Sequence, residues 1–421
     1  MNRRDFLHAS ILTLASQATA HSLPLAGPAA TDEDFWLSVR DKFSIDPNVI
    51  QLNNAAIGSS PRTVLDAMRH YEADLVSQPS YSYYDEQSGY VERVRVQLAA
   101  VFGCDSEEIA VTRNASEGLA NVVFGLELNR GDEVLTTTQD YPSVLEALDQ
   151  RAARDGIVVK KLRLQVPPKS PAEAYDAFVQ SMTPRTKLII VSHMTYATGQ
   201  IFPVRRICDF AASRGIKTLV DGAQSFGQIP FRHADLNCDF FATSLHKFYS
   251  APLGTGLLYV RRSVLEQVWP LMGAPMQARG NIRKFDGYED LGPGTMPIHI
   301  RNAVPEAIYF NQELSIPLKA ARLRYLRKRW TTPLQDIEGV RFLTTDDDRW
   351  ACGTTTFVPG KCDPDRFVQV MQRDHRIQVR KRALEGEFAG VRVSAGIFNT
   401  TAEIDCFVEV ARLLIPKGTK L

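Results

Sequence analysis

The sequence contains 421 residues, of which 44% are hydrophobic, so it can bury a sizeable core and form roughly two to three domains. Its 49 lysines and arginines nearly balance its 48 aspartates and glutamates, and no long stretch carries a single sign of charge. This even balance argues against a polyanion-binding surface, and we therefore expect no nucleic-acid partner.

The first residues, MNRRDFLHASILTLASQATAHS, have the features of an export signal. The Arg3-Arg4 pair precedes a short apolar stretch, and residues 18–20 form the small-residue pattern of a cleavage site. The segment resembles a twin-arginine signal peptide over residues 1–20; an amphipathic first helix is the alternative. It is too short and too polar for a stable membrane anchor. We therefore expect export by the twin-arginine translocase and a mature periplasmic protein that begins near His21.

After an N-terminal segment over residues 32–60, short β-prone runs alternate with helical stretches. The runs EIAVT, DEVLTTT and KLIIVSHM each lead into a helical stretch, and IKTLVDGAQS, CDFFATSLHK and TGLLYVRR follow. This alternation predicts an α/β fold over residues 61–295, with a mostly parallel sheet and helices on both faces. Ligands of such sheets bind beyond the carboxyl ends of the strands.

The pattern changes from about residue 296. One long charged helix is predicted over PEAIYFNQELSIPLKAARLRYLRKRW, followed by short strands in GTTTFVPG, RIQVRKR and VRVSAG. A last helix is predicted from Thr401. These elements indicate a smaller C-terminal α+β domain over residues 296–421.

The cysteines show no CxxC motif and no spacing typical of a metal site, so we interpret them as small core residues. The periplasm permits disulfides, but a twin-arginine substrate folds before export in a reducing cytoplasm. We therefore expect no disulfide framework, and whether individual cysteines pair stays open. The residues are Cys104, Cys208, Cys238, Cys352, Cys362 and Cys406.

A lysine and an aspartate follow two strands of the predicted sheet. Asp221 in LVDGAQS comes directly after an apolar run, and Lys247 in TSLHKF follows about one crossover later. Both side chains can therefore project from the same edge of the sheet, although a lone aspartate there could simply cap a helix. A lysine amine and an acid suit pyridoxal phosphate, which needs an amine for its aldehyde and a carboxylate for its pyridine nitrogen.

Two further stretches offer partners for such a cofactor. In TRNASEGLANVV, Asn114, Ala115 and Ser116 begin a helix, where backbone N–H groups and the helix dipole can bind a phosphate. The alternative is an ordinary N-cap. Tyr141 in TTTQDYPSVL follows another strand and could lie over the pyridine ring, or it could be a tyrosine at a strand–helix corner.

From QLNNAAIGSSP onward the chain resembles the class V aminotransferase group of fold-type I pyridoxal-phosphate enzymes. The motifs NASEGLANV, LVDGAQS, SLHKF before GTGLLYVR, GPGT and VRVSAGIFNTTAEIDCFVEVARLL carry the resemblance in the expected order. They are most similar to the isopenicillin N epimerase-like and cysteine desulfurase-like branches. The resemblance implies a large domain with a mostly parallel seven-stranded sheet, a small C-terminal domain and a pyridoxal 5'-phosphate cofactor.

The resemblance also implies roles for individual residues. Lys247 would form the Schiff base, Asp221 would bind the pyridine nitrogen and Gln224 would bind the phenolic oxygen. Arg392 in VRVS would hold the substrate's α-carboxylate as a bidentate fork. The alternative for Arg392 is the solvent face of a strand.

The implied phosphate ligands come from several segments. Thr295 in GPGT would reach the phosphate of the neighbouring subunit, which implies a homodimer. His246 is adjacent to Lys247 and should face the opposite way along a strand, so it suits the phosphate better than proton transfer. The ligands within one chain would be Ala115, Ser116, Ser244 and His246.

Two departures from the family pattern limit this transfer. Cysteine desulfurases carry a mobile cysteine shortly before the carboxylate-binding arginine, but the stretch from Arg380 to Arg392 contains none. Desulfuration is therefore not expected. Tyr196 stands where the family often has an asparagine near the phenolic oxygen, and it either alters the titration of the bound cofactor or fills space.

These observations favour a periplasmic enzyme that acts at the α-amino carbon of an amino acid or of a small molecule bearing one. Transamination, epimerisation and related reactions stay open. The export signal and the family together resemble the periplasmic enzymes that tailor the glutamate side chain of pyoverdine siderophores. The alternatives are a cysteine lyase or desulfurase, and a non-catalytic binding protein on an enzyme scaffold.

Overall fold

The computed structural model of the protein describes residues 29–286 and 295–420. The predicted signal peptide, and all of the GPGT motif except Thr295, lie outside the described residues. The helices are α1 (Glu33–Arg40), α2 (Arg62–Ser77), α3 (Tyr81–Ser88), α4 (Val91–Phe102), α5 (Ala115–Gly125), α6 (Pro142–Asp155), α7 (Pro171–Ser181), α8 (Val204–Ser213), α9 (His233–Leu236), α10 (Ile298–Asn302), α11 (Val304–Leu314), α12 (Ile316–Leu334), α13 (Pro364–His375) and α14 (Thr401–Leu414).

The strands form a large sheet, a smaller sheet and a short pair. The large sheet has seven strands in the order β2-β8-β7-β6-β5-β3-β4, all parallel except at β8, which runs antiparallel to both neighbours. This confirms the predicted α/β architecture. The strands are β1 (Ile50–Gln51), β2 (Ile109–Thr112), β3 (Glu133–Thr137), β4 (Val158–Leu162), β5 (Thr186–Ser192), β6 (Lys217–Asp221), β7 (Phe240–Ser244), β8 (Gly256–Val260), β9 (Val340–Phe342), β10 (Thr354–Pro359), β11 (Ile377–Gln378), β12 (Arg380–Leu384) and β13 (Phe388–Ser394).

The central strands are covered on both faces. Phe241 of β7 packs into a core shared with α4 and α8, whereas Phe240 and Ala242 face a second core that includes α5 and α6. Burial on both sides explains why these strands appear in the sequence as continuous apolar runs. Helix α5 comes very close to β7: a Cβ on Gly118 would lie 2.8 Å from the Cβ of Ala242.

The C-terminal region folds around a four-stranded antiparallel sheet in the order β12-β13-β10-β9. Trp330 of α12 packs against Phe357 of β10 and Phe407 of α14, with ring centroids 5.5 and 5.6 Å apart. These aromatic contacts join the helices to one face of the sheet. The last helix begins at Thr401, as the sequence predicts.

The predicted long charged helix is in fact two helices, α11 and α12. They are separated by Ser315, whose φ is 61°, and its side chain caps α12 by accepting a hydrogen bond from the Leu318 N–H. The prediction was wrong because Pro317 has no N–H and its ring clashes with the carbonyl four residues earlier in a continuous helix. Proline fits the first turn of a new helix instead.

The N-terminal segment is tied to the C-terminal region. Strand β1 pairs in parallel with β11, Asn53 bridges to Ser394, and Arg40 forms a 2.8 Å ion pair with Glu403. The segment thereby reaches the edge where the parallel strands of the large sheet end. Within residues 29–286 and 295–420, no helix has both the length and the apolar character needed to cross a membrane.

Candidate active site

A cavity of about 830 Å³ lies at the carboxyl ends of the parallel strands. Its walls come from the ends of β6 and β7, the start of α5, the N-terminal segment, and β12 and β13 of the four-stranded sheet. The site is therefore assembled from three parts of the chain. The predicted site residues that line it are Ala115, Ser116, Tyr141, Asp221, Gln224, Ser244, His246, Lys247 and Arg392.

Asp221 and Lys247 both line this cavity, as their spacing predicts. Asp221 is the last residue of β6 and accepts a 2.8 Å hydrogen bond from the Ala223 N–H. Burial raises the pKa of its carboxyl to about 6, while the Ala223 N–H and Lys247 act in the opposite direction. Burial also lowers the pKa of the Lys247 amine to about 8, opposed by Asp221 and assisted by Arg392. The lysine is therefore partly neutral near pH 8, as a nucleophilic amine requires.

The turn that carries Lys247 is held from two sides. The N–H of Gly58 donates to the His246 carbonyl at 3.2 Å, and a Cβ on Gly58 would lie 2.1 Å from the Lys247 carbonyl oxygen. On the other side, buried Lys319 donates to the Phe248 carbonyl at 2.7 Å. Neither contact is predictable from the sequence, because both join segments far apart in the chain.

The start of α5 forms one end of the cavity. Asn114 caps the helix by accepting from the Glu117 N–H at 2.9 Å, whereas Ser116, whose position before a glutamate suggested the cap, lies inside the helix. The Ala115 N–H donates to the Ser244 hydroxyl at 2.9 Å, and the hydroxyls of Ser116 and Ser143 lie 3.0 Å apart. This places hydroxyl groups and a helix N-terminus together, an arrangement that favours a phosphate.

His246 lines the same cavity as Lys247, and the expectation that the two side chains face opposite ways stays a prediction. Strict alternation holds only within a strand, and β7 already ends at Ser244. The buried Nδ1 of His246 has no hydrogen-bond partner among the described residues. Burial lowers the pKa of its imidazole, and the neighbouring Lys247 amine lowers it further.

Two tyrosines and a glutamine lie near the lysine. The Lys247 Nζ is 5.8 Å from the ring centroid of Tyr141, and Tyr141 makes an edge contact with Tyr196 at 5.2 Å. Gln224 donates from Nε2 to the Ala55 carbonyl at 3.0 Å, and its buried Oε1 has no partner in the described chain. Tyr196 also contributes its backbone carbonyl to the site, because Arg392 donates to it at 2.6 Å.

Arg392 is 1% exposed, so the alternative of a solvent-facing arginine is excluded. Its Nη2 donates to Asn53 Oδ1 at 3.0 Å, and its buried Nε has no partner in the described chain. Burial lowers the pKa of the guanidinium, and Arg382 lowers it further. Asn53, which was not among the predicted site residues, positions the arginine from the N-terminal segment.

Thr295 does not join the other predicted ligands. It is exposed and does not line the cavity of its own chain. All six cysteines are free thiols, and none of them lines the cavity. A group that could act as the mobile thiol of a desulfurase is thus missing from the described cavity wall.

The donor set fits pyridoxal phosphate. The cavity supplies a lysine of lowered pKa, a buried acid, an aromatic ring and a helix N-terminus flanked by hydroxyls. Two residues that line it also carry a buried polar atom, Gln224 Oε1 and His246 Nδ1, that has no hydrogen-bond partner in the described chain.

The chain is similar over most of its length to proteins that are already known. Isopenicillin N epimerase from Streptomyces clavuligerus is 30% identical over 384 residues, covering 88% of this chain and 96% of the relative. Isopenicillin N epimerase from Amycolatopsis lactamdurans is 34% identical, covering 90% and 98%. The apo structure of cysteine desulfurase from Thermococcus onnurineus superposes with a TM-score of 0.77 at 24% identity, over 90% of this chain and 98% of that chain.

The similarity to the cysteine desulfurase structure shows the fold of this chain, which is that of the fold-type I pyridoxal-phosphate transferases. The family described as aminotransferase class-V matches residues 50–407, which is most of the chain. The protein therefore belongs to the class-V aminotransferase family of pyridoxal-phosphate-dependent enzymes.

Proposed function

We propose that the protein acts at the α-amino carbon of an amino acid or of a small molecule that carries one. The observation that supports this best is the joint position of Arg392 and Lys247 in one cavity wall. A buried arginine can hold an α-carboxylate, and a lysine of lowered pKa can exchange a proton at the adjacent carbon.

When bound, pyridoxal phosphate supplies an aldehyde that captures an amino group and an electron sink that acidifies the α-hydrogen. Lys247 would bind the aldehyde, and Asp221 would hold the pyridine nitrogen in its protonated form. The start of α5, with Ser116, Ser244 and His246, would hold the phosphate, while Tyr141 would lie against the ring. Once displaced by a substrate amine, Lys247 would move the α-proton.

Epimerisation and transamination both use this arrangement. The two isopenicillin N epimerases named above span nearly the whole chain, which favours epimerisation. Desulfuration is less well supported, because no cysteine lines the described part of the cavity.

The test is α-proton exchange in D₂O with the holoenzyme and a panel of amino acids. We expect loss of the α-proton signal in NMR, abolished in Lys247→Ala and weakened by about one to two powers of ten in Arg392→Lys, because lysine cannot form the bidentate fork. Deuterated product of both configurations indicates epimerisation, whereas a keto acid indicates transamination. If Arg392→Lys exchanges the α-proton fully and binds the substrate with unchanged affinity, the assignment of Arg392 to the α-carboxylate is contradicted.

We also propose that the enzyme is exported and that its substrate includes the glutamyl group of a pyoverdine-type siderophore. The Arg3-Arg4 motif supports export, since the twin-arginine route carries folded, cofactor-loaded proteins. Cell fractionation of a variant with both arginines replaced by lysine should find the enzyme in the cytoplasm. If a deletion strain secretes unaltered siderophores, the proposal of a siderophore substrate is contradicted.

A homodimer is proposed as the working assembly. Thr295 is exposed and lies away from its own cavity, and Ile57, which lines the cavity, is 58% exposed. Both features fit a neighbouring subunit packed at the mouth of the site.

A further inference from the structure

Three arginines share one face of the strand pair β12–β13. Arg380 lies directly opposite Arg392 in the antiparallel ladder, and Arg382 is two positions further along β12. Residues two apart in a strand point to the same face. All three line the cavity, as do Lys381 and Ala383 of the same strand, so β12 and β13 contribute a row of arginines to its wall.

This row lacks compensating carboxylates. No ion pair joins Arg380, Arg382 or Arg392 to an acid within the described residues. Lys381, between the first two, pairs instead with Asp365. Like charges directly opposite each other destabilise a sheet. The unpaired cations of the edge strand β12 and of its neighbour β13 are therefore a cost to folding that an anionic ligand would offset.

Arg382 is held in place for such a ligand. Its guanidinium carbon lies 5.5 Å from the ring centroid of Tyr196, and its Nη1 donates to the Lys381 carbonyl at 3.3 Å. Its Nε is buried without a partner among the described residues. Burial lowers the pKa of the guanidinium, and Arg380 lowers it further, as expected for cations that crowd one another.

The functions assigned above leave Arg380 and Arg382 unused. Asp221 faces Lys247, Arg392 is assigned to an α-carboxylate, and the phosphate-binding groups come from α5 and the end of β7 in the large domain. The cavity, at about 830 Å³, is near the upper end of the roughly 300–1,000 Å³ typical of small-molecule sites.

We propose that Arg380 and Arg382 form a subsite for a second carboxylate, carried by the substrate several bonds away from its α-carbon. This rests on the proposed function and narrows it to dicarboxylic substrates, such as an amino acid with a terminal acid or a conjugate that ends in one. Arg392 binds the α-carboxylate, and the neighbouring pair selects the distal one.

The test compares acids with their neutral amides. L-Glutamate and L-α-aminoadipate are each paired with the corresponding ω-amide, and dissociation constants for the holoenzyme are measured from the change in cofactor absorbance. We expect at least one acid to bind about tenfold or more tightly than its amide, because a charge-assisted hydrogen bond to arginine is lost in the amide. The double variant Arg380→Gln/Arg382→Gln should bring the ratio of acid affinity to amide affinity to nearly one and leave the amide affinity unchanged.

Matched variants separate the possible causes. Arg392→Lys should weaken acid and amide equally, and Arg373→Gln, which removes an exposed α13 arginine, should change neither. The subsite is overturned if acid and amide bind with nearly equal affinity in the wild type for both pairs. It is also overturned if the acid's higher affinity persists in the double variant. Loss of cofactor affinity in the double variant also overturns it, since the arginines would then serve the phosphate. If no amino acid binds at all, the proposed function itself fails.

Discussion

Lys247 is placed where a neutral amine is available near neutral pH. Burial lowers its pKa to about 8, and charged neighbours act on that pKa in opposite senses, with Arg382 adding to the lowering. Asp221 favours the charged amine, whereas Arg392 favours the neutral one. A lysine in water, with a pKa of about 10.4, would be almost fully protonated at the same pH.

The rate of cofactor attachment should report this pKa. In apoenzyme mixed with pyridoxal phosphate, we expect the rate to rise between pH 7 and pH 9 with a midpoint near 8, because only the neutral amine reacts with the aldehyde. Asp221→Asn should move the midpoint to lower pH, and Arg392→Gln should move it to higher pH. Stopped-flow absorbance measures the attachment rate and its pH midpoint in each variant. Midpoints that shift in the same direction in the two variants would contradict this electrostatic account.

Helices α11 and α12 form hydrogen bonds to the backbone of the turn that carries Lys247. Lys319 of α12 donates to the Phe248 carbonyl and to Asn311 Oδ1, and Asn311 of α11 donates to the Tyr249 carbonyl at 2.8 Å. Lys319 is 1% exposed, and burial lowers its pKa to about 7. The break at Ser315 is what brings these two helices together behind the turn.

The buried lysine should leave a signature in the pH dependence of stability. Its folded-state pKa lies below the unfolded value, so between pH 7 and about pH 10 the unfolded chain binds more protons and its contribution to stability rises with pH. Lys319→Met should flatten this rise by up to about 1.4 kcal/mol per pH unit. Urea unfolding at several pH values measures this pH dependence of the free energy of unfolding, and Lys328→Met, at a half-buried lysine, is the control. An equal pH dependence in the wild type and in Lys319→Met would refute the lowered pKa of Lys319.

At the scale of elements, the sequence was sufficient where local pattern decides the structure. The alternating strands and helices and the positions of Asp221 and Lys247 followed from hydrophobic runs and chain order. The single long helix was wrong because periodicity outweighed Pro317 in the prediction. The direction of the His246 side chain stays a prediction, because the strand on which the alternation argument rested ends at Ser244.

At the scale of the whole molecule, the site depends on segments that meet only after folding. Asn53 positions Arg392, and Gly58 fixes the turn of Lys247, although both come from the N-terminal segment. No local pattern in the sequence reveals such long-range contacts. The alternation of arginines in RIQVRKR was a usable signal for Arg380 and Arg382, although neither was among the predicted site residues.

A shared site between subunits can be tested by mixing inactive protomers. If Thr295 serves the neighbouring subunit, Lys247→Ala and Thr295→Ala protomers should together recover about a quarter of wild-type activity at random exchange, because half the dimers carry one intact site. Activity is measured after subunit exchange has been verified by mass. Absence of recovery would favour a site built within one chain.

The central claim is that Lys247 binds pyridoxal phosphate covalently. The most direct test is to reduce the yellow holoenzyme with borohydride, digest it and locate the modified peptide by mass spectrometry. We predict that the cofactor is fixed to Lys247 and that Lys247→Ala yields no labelled peptide, whereas Lys319→Met is still labelled at Lys247. Stoichiometric label on any other lysine, or on none, would contradict the account.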